Sequence, residues 1–515
     1  MKKYLFYSLI VFFTINANSQ NINDGLRLAQ SSVLGTARSQ AMSGAFGALG
    51  GDFSAINVNP AGSAIFSNNQ WSISLSDNII NNNTNYFKTN TASSKISINL
   101  NQAAGVFVFE NDDKKSDWNK FSLAINYENI SNFDNNIQSV GTNEISIANY
   151  FTSYANAFEK SGGIFLGSII DNNYDQLNFA DQQAWLGYES FIINPVPFVP
   201  PFGQQPDFGN PNISTYSSNI RQGGKYLQVN STETKGQHSK INFNLSGQYQ
   251  KWLSVGLNIN SLSTDYKETT SFLETNKNAN TNQDRVSEIL FNNSIHTFGS
   301  GISVQLGFIA KVNDFLRLGA SYQTPTWYEL NDEVTQSVQT KRSSTASTTD
   351  IFKNTNPGVT NTYDPYQLQT PGKLTGSAAL IFGKKGLLSL DLSGINYSNI
   401  IFKPENDFES LNNNITDKLS NALEIRLGTE YRIKKISLRG GFRSEQSPYK
   451  NKKSIADLYG ISSGFGYNWG DTRLDVSYAY SKRNSQNQFF KRGLTDFSST
   501  VGINHNVTFT LTFEL

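Results

Sequence analysis

Along residues 505–515, the last stretch of the chain, polar and apolar positions alternate without a break. Val507, Phe509, Leu511, Phe513 and Leu515 fall on one face, and Asn506, Thr508, Thr510, Thr512 and Glu514 on the other. Period two is the mark of a strand, because successive side chains point to opposite sides of a sheet. The same period recurs from Trp71 onward and predicts strands over 71–77, 95–110, 120–129, 239–250, 253–264, 299–311, 315–324, 373–383, 387–397, 421–432, 436–444, 459–468, 472–482 and 505–515. These make fourteen, and a closed antiparallel barrel in a bacterial membrane takes an even number.

The connections fall into two classes. Residues 111–119, 251–252, 312–314, 384–386, 433–435 and 469–471 are short links, the links between them are long, and the longest is 130–238. Short periplasmic turns alternating with long external loops are the rule for outer-membrane barrels. The last strand alone would also suit the edge of a soluble sandwich, but a sandwich has no reason to alternate its loop lengths. The expected fold class is therefore all-β: a 14-stranded antiparallel transmembrane β-barrel with an N-terminal, partly helical hatch plugging the lumen. Its expected divisions are a signal peptide (1–19), the hatch (20–70) and the barrel (71–515) with a large extracellular loop (130–238).

The leader rests on Lys2 and Lys3, an apolar run over 5–15, and Ala17-Asn18-Ser19 before a cut ahead of Gln20. That run is about half the length of a membrane-spanning helix. Residues 21–66 differ in texture, being rich in Ala and Gly, with short helices expected over 26–32 and 36–48. Gly44, Gly47, Gly50 and Gly51 follow no strand and lack the spacing of a phosphate-binding loop, so close backbone packing in a confined space explains them better. Asn59-Pro60-Ala61-Gly62 reads by itself as a turn.

Composition sharpens this reading. Of 515 residues only 16% are charged and 37% apolar, while 13% are aromatic, mostly Phe and Tyr. Few charges and many aromatics suit a lipid belt, aromatic girdles and a wet interior. Losing Lys2 and Lys3 with the leader lowers Lys+Arg from 42 to 40 against 41 acids, which gives no footing for a nucleic-acid partner. Without cysteine there is no disulfide frame, no thiolate chemistry and no lipoprotein anchor. His238, His296 and His505 are the only imidazoles, so neither a multi-histidine metal site nor a haem or other cofactor is expected. An outer-membrane lipase would need a Ser–His pair on the lipid-facing wall. Only His505 lies in a predicted strand, and no G-x-S-x-G elbow is present, so the chain is not expected to be an enzyme.

The stretch 35–44, the glycine run 47–51 and Asn59-Pro60-Ala61-Gly62 together resemble the N-terminal hatch of the FadL/TodX family of outer-membrane channels for long-chain fatty acids and other hydrophobic compounds. Residues 317–328 and 427–432 agree with the family as well, so the resemblance covers most of the mature chain, the long loops excepted. It implies passive uptake in the outer membrane of a Gram-negative cell, reached by export through the periplasm. Ligand adsorbs to external loops, passes into a lumen pocket, and is released sideways into outer-membrane lipid when the hatch moves. In this family the wall opening is usually assigned to the third strand. Here Ala103-Ala104-Gly105 marks a candidate kink in the second strand, and 120–129 has no glycine, so the sequence does not fix the opening.

Two further sets of residues are candidates. Glu424, Arg426 and Glu430 share one face of their strand and Arg439 lies on the next; charges in a membrane wall point inward, so these form a lumen ion-pair network holding the hatch, or a substrate site. The largest loop carries two amphipathic segments, 145–158 and 179–193, and an apolar Pro/Phe tract up to Phe202. Trp185, Phe191, Phe198 and Phe202 are candidates for an external hydrophobic capture surface, unless the loop is a folded lid hiding its own core. Residues 276–282 and 335–349 are polar and expected to be mobile. The leading function is uptake of hydrophobic small molecules. The alternative is a FadL-like barrel that binds a partner as a component of a protein secretion system.

Overall fold

The computed structural model describes residues 20–113, 115–156, 162–197 and 205–515. The leader 1–19 and the candidate residues Phe198 and Phe202 lie outside the described residues. Fourteen antiparallel strands close on themselves. They are strand 1 (Gln70–Tyr86), strand 2 (Thr89–Glu110), strand 3 (Trp118–Asn132), strand 4 (Tyr226–Tyr249), strand 5 (Leu253–Asn276), strand 6 (Arg285–Lys311), strand 7 (Leu316–Gln323, continued by Trp327–Ser343) and strand 8 (Tyr366–Gln369, continued by Lys373–Phe382). Strand 9 (Gly386–Asn396), strand 10 (Asn421–Ile433), strand 11 (Ile436–Glu445), strand 12 (Ile455–Asn468), strand 13 (Thr472–Gln488) and strand 14 (Phe497–Glu514) complete the wall. Strand 1 pairs with strand 14 from Gln70↔Glu514 to Asn85↔Ser499, so the wall has no free edge there. Among the described residues no helix is long and apolar enough to cross a membrane.

All fourteen predicted strands are present, but most are longer than the alternation shows. Strand 1 continues to Tyr86 and turns into strand 2 through Phe87 and Lys88 alone, both at positive φ, where a long external loop was expected. Strand 7 runs to Ser343 and so includes half of the polar segment 335–349. The reason is physical. Near the periplasmic turns one face meets hydrocarbon and carries Trp71, Ile73, Leu123, Ile125, Phe243, Leu245, Leu306 and Phe308, all exposed. Farther out the outer face is wet while the inner face is buried with polar as well as apolar side chains, such as Asn82, Thr84, Gln336 and Thr340, so burial still alternates but hydropathy does not.

The first N-terminal helix begins four residues earlier than expected, and the second is shorter. Helix α1 (Ile22–Ala29) starts at a capping box in which Asn21 and Asp24 satisfy each other's backbone N–H groups. Helix α2 (Ala37–Ala41) stops where Ser43 and Gly44 adopt positive φ, which no helix continues through. Helix α3 (Ala55–Val58) leads into a 3-10 turn at Pro60–Ile65.

At the outer end, helices α4 (Ala148–Asn156), α5 (Leu166–Ile170) and α6 (Phe179–Glu189) fold into a cap. Its core joins Phe151, Ile169 and Leu186 of the loop to Phe272, Phe291 and Val338 on the wall, with Phe489 and Phe490 of the last external loop packed against it. The cap is therefore a folded lid with its own buried core.

Candidate functional site

The lumen fills from the periplasmic end. Strand glycines make room for the hatch backbone: a Cβ at Gly256 would lie 2.3 Å from Pro60 C, and one at Gly319 would lie 2.3 Å from Gly47 O. Asn59 Nδ2 donates to the carbonyls of Gly47 (2.7 Å) and Phe308 (2.9 Å), while its Oδ1 accepts from Ala61 N–H (3.1 Å). One side chain thus ties two hatch turns to strand 6, and Pro60 starts the turn that follows. Gly62 packs against Gly50, whose φ of +64° leaves no place for a Cβ; Gly51 shares that conformation at +63°. The Asp391 carboxylate of strand 9 accepts from the N–H groups of Phe46 (2.9 Å) and Gly47 (3.0 Å). Replacing Asn59 by Ala removes three hydrogen bonds to backbone groups, two of them buried, and a loss of about 2–4 kcal/mol is expected. Heat-modifiability on gels, with Asn68→Ala as the exposed control, measures it.

The charged residues form two groups. Glu430 sits between Arg38 (2.9 Å), Arg432 (2.6 Å) and Arg439 (2.6 Å), and Arg439 also reaches Asp475 (2.7 Å). Arg38 belongs to the hatch and donates as well to Gly51 O at 3.0 Å. Glu424 pairs instead with Lys373 (2.6 Å) and Arg426 (3.0 Å) higher in the lumen. Arg38, Asp475 and Lys373 were not singled out from sequence. Nothing local marks Arg38, whose partner lies 392 residues away.

Above the hatch lies a cavity of about 130 Å³ lined by the strap Gln30–Leu34, the hatch residues Asn57 and Val58, and wall residues including Glu128, His238, Lys240 and Lys373. Ligand pockets run about 300–1,000 Å³, so a long hydrocarbon chain needs more room. Next to it is an apolar seat that α1 fills. Leu26 and Leu28 of α1 pack into a cluster with Tyr328, Leu330, Tyr366, Leu368, Ile400 and Phe402, and Gly25 lets the helix approach Ile400 and Phe402 closely. Arg27 stacks over the Tyr266 ring at 3.4 Å.

Beside this cavity the wall changes character. The backbone ladder between strands 2 and 3 runs from Glu110↔Lys120 to Gln102↔Glu128 and stops. Strand 3 bulges at Ile130, and its continuation, Asn135–Asn143, pairs with strand 4 only. It passes across the inner face of strand 1, where Asn82 Nδ2 donates to Asn136 O (2.8 Å) and Thr84 Oγ1 to Gln138 O (2.6 Å). The outer half of strand 2 is therefore joined to its neighbour by side chains: Ser93 Oγ to Asn136 O (2.8 Å), Asn132 Nδ2 to Ser97 Oγ (2.8 Å), and Lys95 to Glu233 (2.9 Å). Ile96, Ile98 and Leu100 face outward there, Ile98 with 79% of its surface exposed. The Ile130 carbonyl turns inward and accepts from Ser32 N–H of the strap at 2.9 Å.

No protein-family model and no curated protein sequence matches the chain. Among solved structures, a FadL homologue of Pseudomonas aeruginosa superposes at a TM-score of 0.53 with 11% identity, over 94% of this chain and 99% of that one. The chain has the FadL fold. The toluene transporter TodX of Pseudomonas putida (TM-score 0.48, 11% identity, 95% of this chain and 99% of that one) and the toluene transporter TbuX of Ralstonia pickettii (0.47, 13%, 95% and 100%) are also similar.

On this FadL-type barrel the sequence-derived candidates separate. Asn59, Pro60, Ala61, Gly62 and the four hatch glycines gather at the hatch, and Gly47 also touches Ser377 and Asp391 of the wall. The expected kink at 103–105 is displaced. The bulge is at Asn101, where the register shifts between Ser74 and Leu75, and Gly105 lies under the Trp71 ring. Two of the four external capture candidates lie among the described residues. Trp185 packs edge-on to Tyr174 at 5.2 Å within the cap, and Phe191, 36% exposed, lies beneath the Arg342 guanidinium at 4.1 Å. Amphipathicity gave the right apolar faces, but they turn toward each other rather than outward.

Proposed function

We propose that the protein is an outer-membrane channel for hydrophobic small molecules, releasing its cargo sideways through the wall between strands 2 and 3. The observation that carries this is the end of the backbone ladder at Gln102↔Glu128, next to a lumen cavity that Glu128 itself lines. A backbone ladder in hydrocarbon is costly to open, whereas side-chain contacts can part and re-form. Cargo entering from outside takes the apolar seat of α1, and the strap carries the displacement to Ile130 through the Ser32 hydrogen bond. No energy source is required, because a water-insoluble molecule gains by returning to hydrocarbon. Long-chain fatty acids suit the seat's apolar lining.

The test uses the absence of native cysteine. Ser97→Cys with Asn132→Cys places two thiols where the side chains now touch. Oxidation is expected to reduce uptake of a fluorescent long-chain fatty acid by whole cells to that of cells lacking the protein, with recovery on reduction. Unchanged uptake by the oxidised protein would remove the lateral route. A second reading, a binding component of a protein secretion system, draws on exposed Phe165 and Phe208 on the cap. It requires a stoichiometric protein partner that is lost in Phe165→Ser with Phe208→Ser while fatty-acid uptake is absent throughout.

A further inference from the structure

Asp332, on strand 7, is a carboxylate only 5% exposed. It accepts from Thr297 Oγ1 and from Gln20 Nε2, each at 2.6 Å, and no cation lies within ion-pair distance of it among the described residues. Two other enclosed carboxylates, Asp391 and Glu274, also lack a cation, but backbone N–H groups compensate them: Phe46 and Gly47 for the first, Ile147 for the second. Among the described residues the Asp332 carboxylate receives no backbone N–H; both of its hydrogen bonds come from side chains. A charge held out of water requires a partner of opposite sign or a set of strong donors.

The residue at Asp332 is the one that the leader pattern places first in the mature chain. Gln20 is 7% exposed. Hydrolysis of the Ser19–Gln20 peptide bond consumes one water, leaves a carboxylate on Ser19, and turns the Gln20 nitrogen from a neutral amide into an amine. An α-amine titrates at about 7.7–8.0 and is cationic at neutral pH. It would stand at the N-terminal, positive end of the α1 dipole, an unfavourable place for a cation unless carboxylates surround it. Asp24 is nearby but already engaged, by Asn21 N–H (2.7 Å) and by Arg27 (2.8 Å). Asp332 is hydrogen-bonded but has no cation beside it among the described residues.

We propose that the α-ammonium group of Gln20, created by removal of the leader, is the counter-ion of Asp332, and that this pair latches α1 into the lumen. Processing then does more than release the chain from the export machinery. It supplies the charge that seats the helix over its apolar cluster. The latch is independent of what the barrel conducts.

The test takes protein expressed with its own leader and purified from its own membrane. N-terminal sequencing and intact mass are expected to give an unmodified Gln20. Hydrogen exchange of Ile22–Ala29 is then compared in the parent, in Asp332→Asn, and in a variant with two glycines inserted between Ser19 and Gln20 that moves the amine away. Each change is expected to speed exchange at least about tenfold, and the two together no more than either alone, because both remove the same pair. Cyclised Gln20, in which the amine has attacked the side-chain amide carbon and expelled ammonia, would overturn the proposal, since the lactam carries no charge. So would a different N-terminus, or unaltered exchange in the insertion variant, which decides the matter alone should Asp332→Asn fail to fold. None of these readouts depends on uptake, so failure of the channel reading leaves the latch standing and the reverse also holds.

Discussion

Replacing Glu430 by Ala is expected to release the hatch while leaving the barrel closed. The Glu430 carboxylate is the common acceptor for three guanidiniums, and its side chain has no exposed surface. Without it Arg439 keeps Asp475 at 2.7 Å, but Arg38 keeps only Asp52 at 4.0 Å and the Gly51 carbonyl. Removing one partner from a buried charge group costs about 3–5 kcal/mol, because the remaining charges stay buried and uncompensated. The strands have their own ladders, so the cost falls on the element that can leave, which is the segment around α2. Exchange of amides 36–51 and tryptic cleavage after Arg38 are expected to accelerate by two orders of magnitude or more, at an unchanged strand spectrum. Glu430→Gln keeps the volume and an acceptor without the charge and is expected to fall between. A hatch as protected in Glu430→Ala as in the parent would show that backbone contacts alone hold it.

The second large effect comes from shape. Gly256 and Gly319 face the hatch, and a Cβ at either would overlap its backbone at 2.3 Å. Backbone cannot swing aside as a long side chain can. Valine suits a strand, so Gly256→Val with Gly319→Val should leave the wall intact and push the hatch out of register. Planar-bilayer recordings are expected to change from a closed parent to an ion-conducting pore. Gly376 and Gly394 have open space around a Cβ, and the same substitutions there are expected to leave the parent's closed behaviour unchanged. Conductance equal in both pairs would mean that the hatch tolerates a shift the geometry forbids.

Both predictions concern contacts that a reading of the chain finds only in part. Asn59-Pro60-Ala61-Gly62 stood out because a Pro-initiated turn leaves a local trace, yet the carbonyls that Asn59 holds, at Gly47 and Phe308, come from elsewhere in the chain. Glu430 and Arg439 could be paired from sequence because they sit opposite each other on neighbouring strands. Arg38 could not, since no periodicity links a short helix to a strand so far along the chain. The break in the wall left no glycine to mark it. It is made by a bulge at Ile130 and by the strap that the bulge bonds to.

The fourteen strands and the faces that meet lipid were legible in the sequence, as were the short periplasmic turns, but not the two-residue external turn at Phe87 and Lys88. The strands were legible because hydrocarbon on one face and water or protein on the other imposes a period of two on every strand that crosses. The height of the strands beyond the lipid, the closure of the aromatic loop on itself, the seat of α1 and the end of the ladder between strands 2 and 3 came from the three-dimensional arrangement. Those features depend on polar groups meeting polar groups, or on apolar faces meeting across distant segments, and neither arrangement leaves a period along the chain.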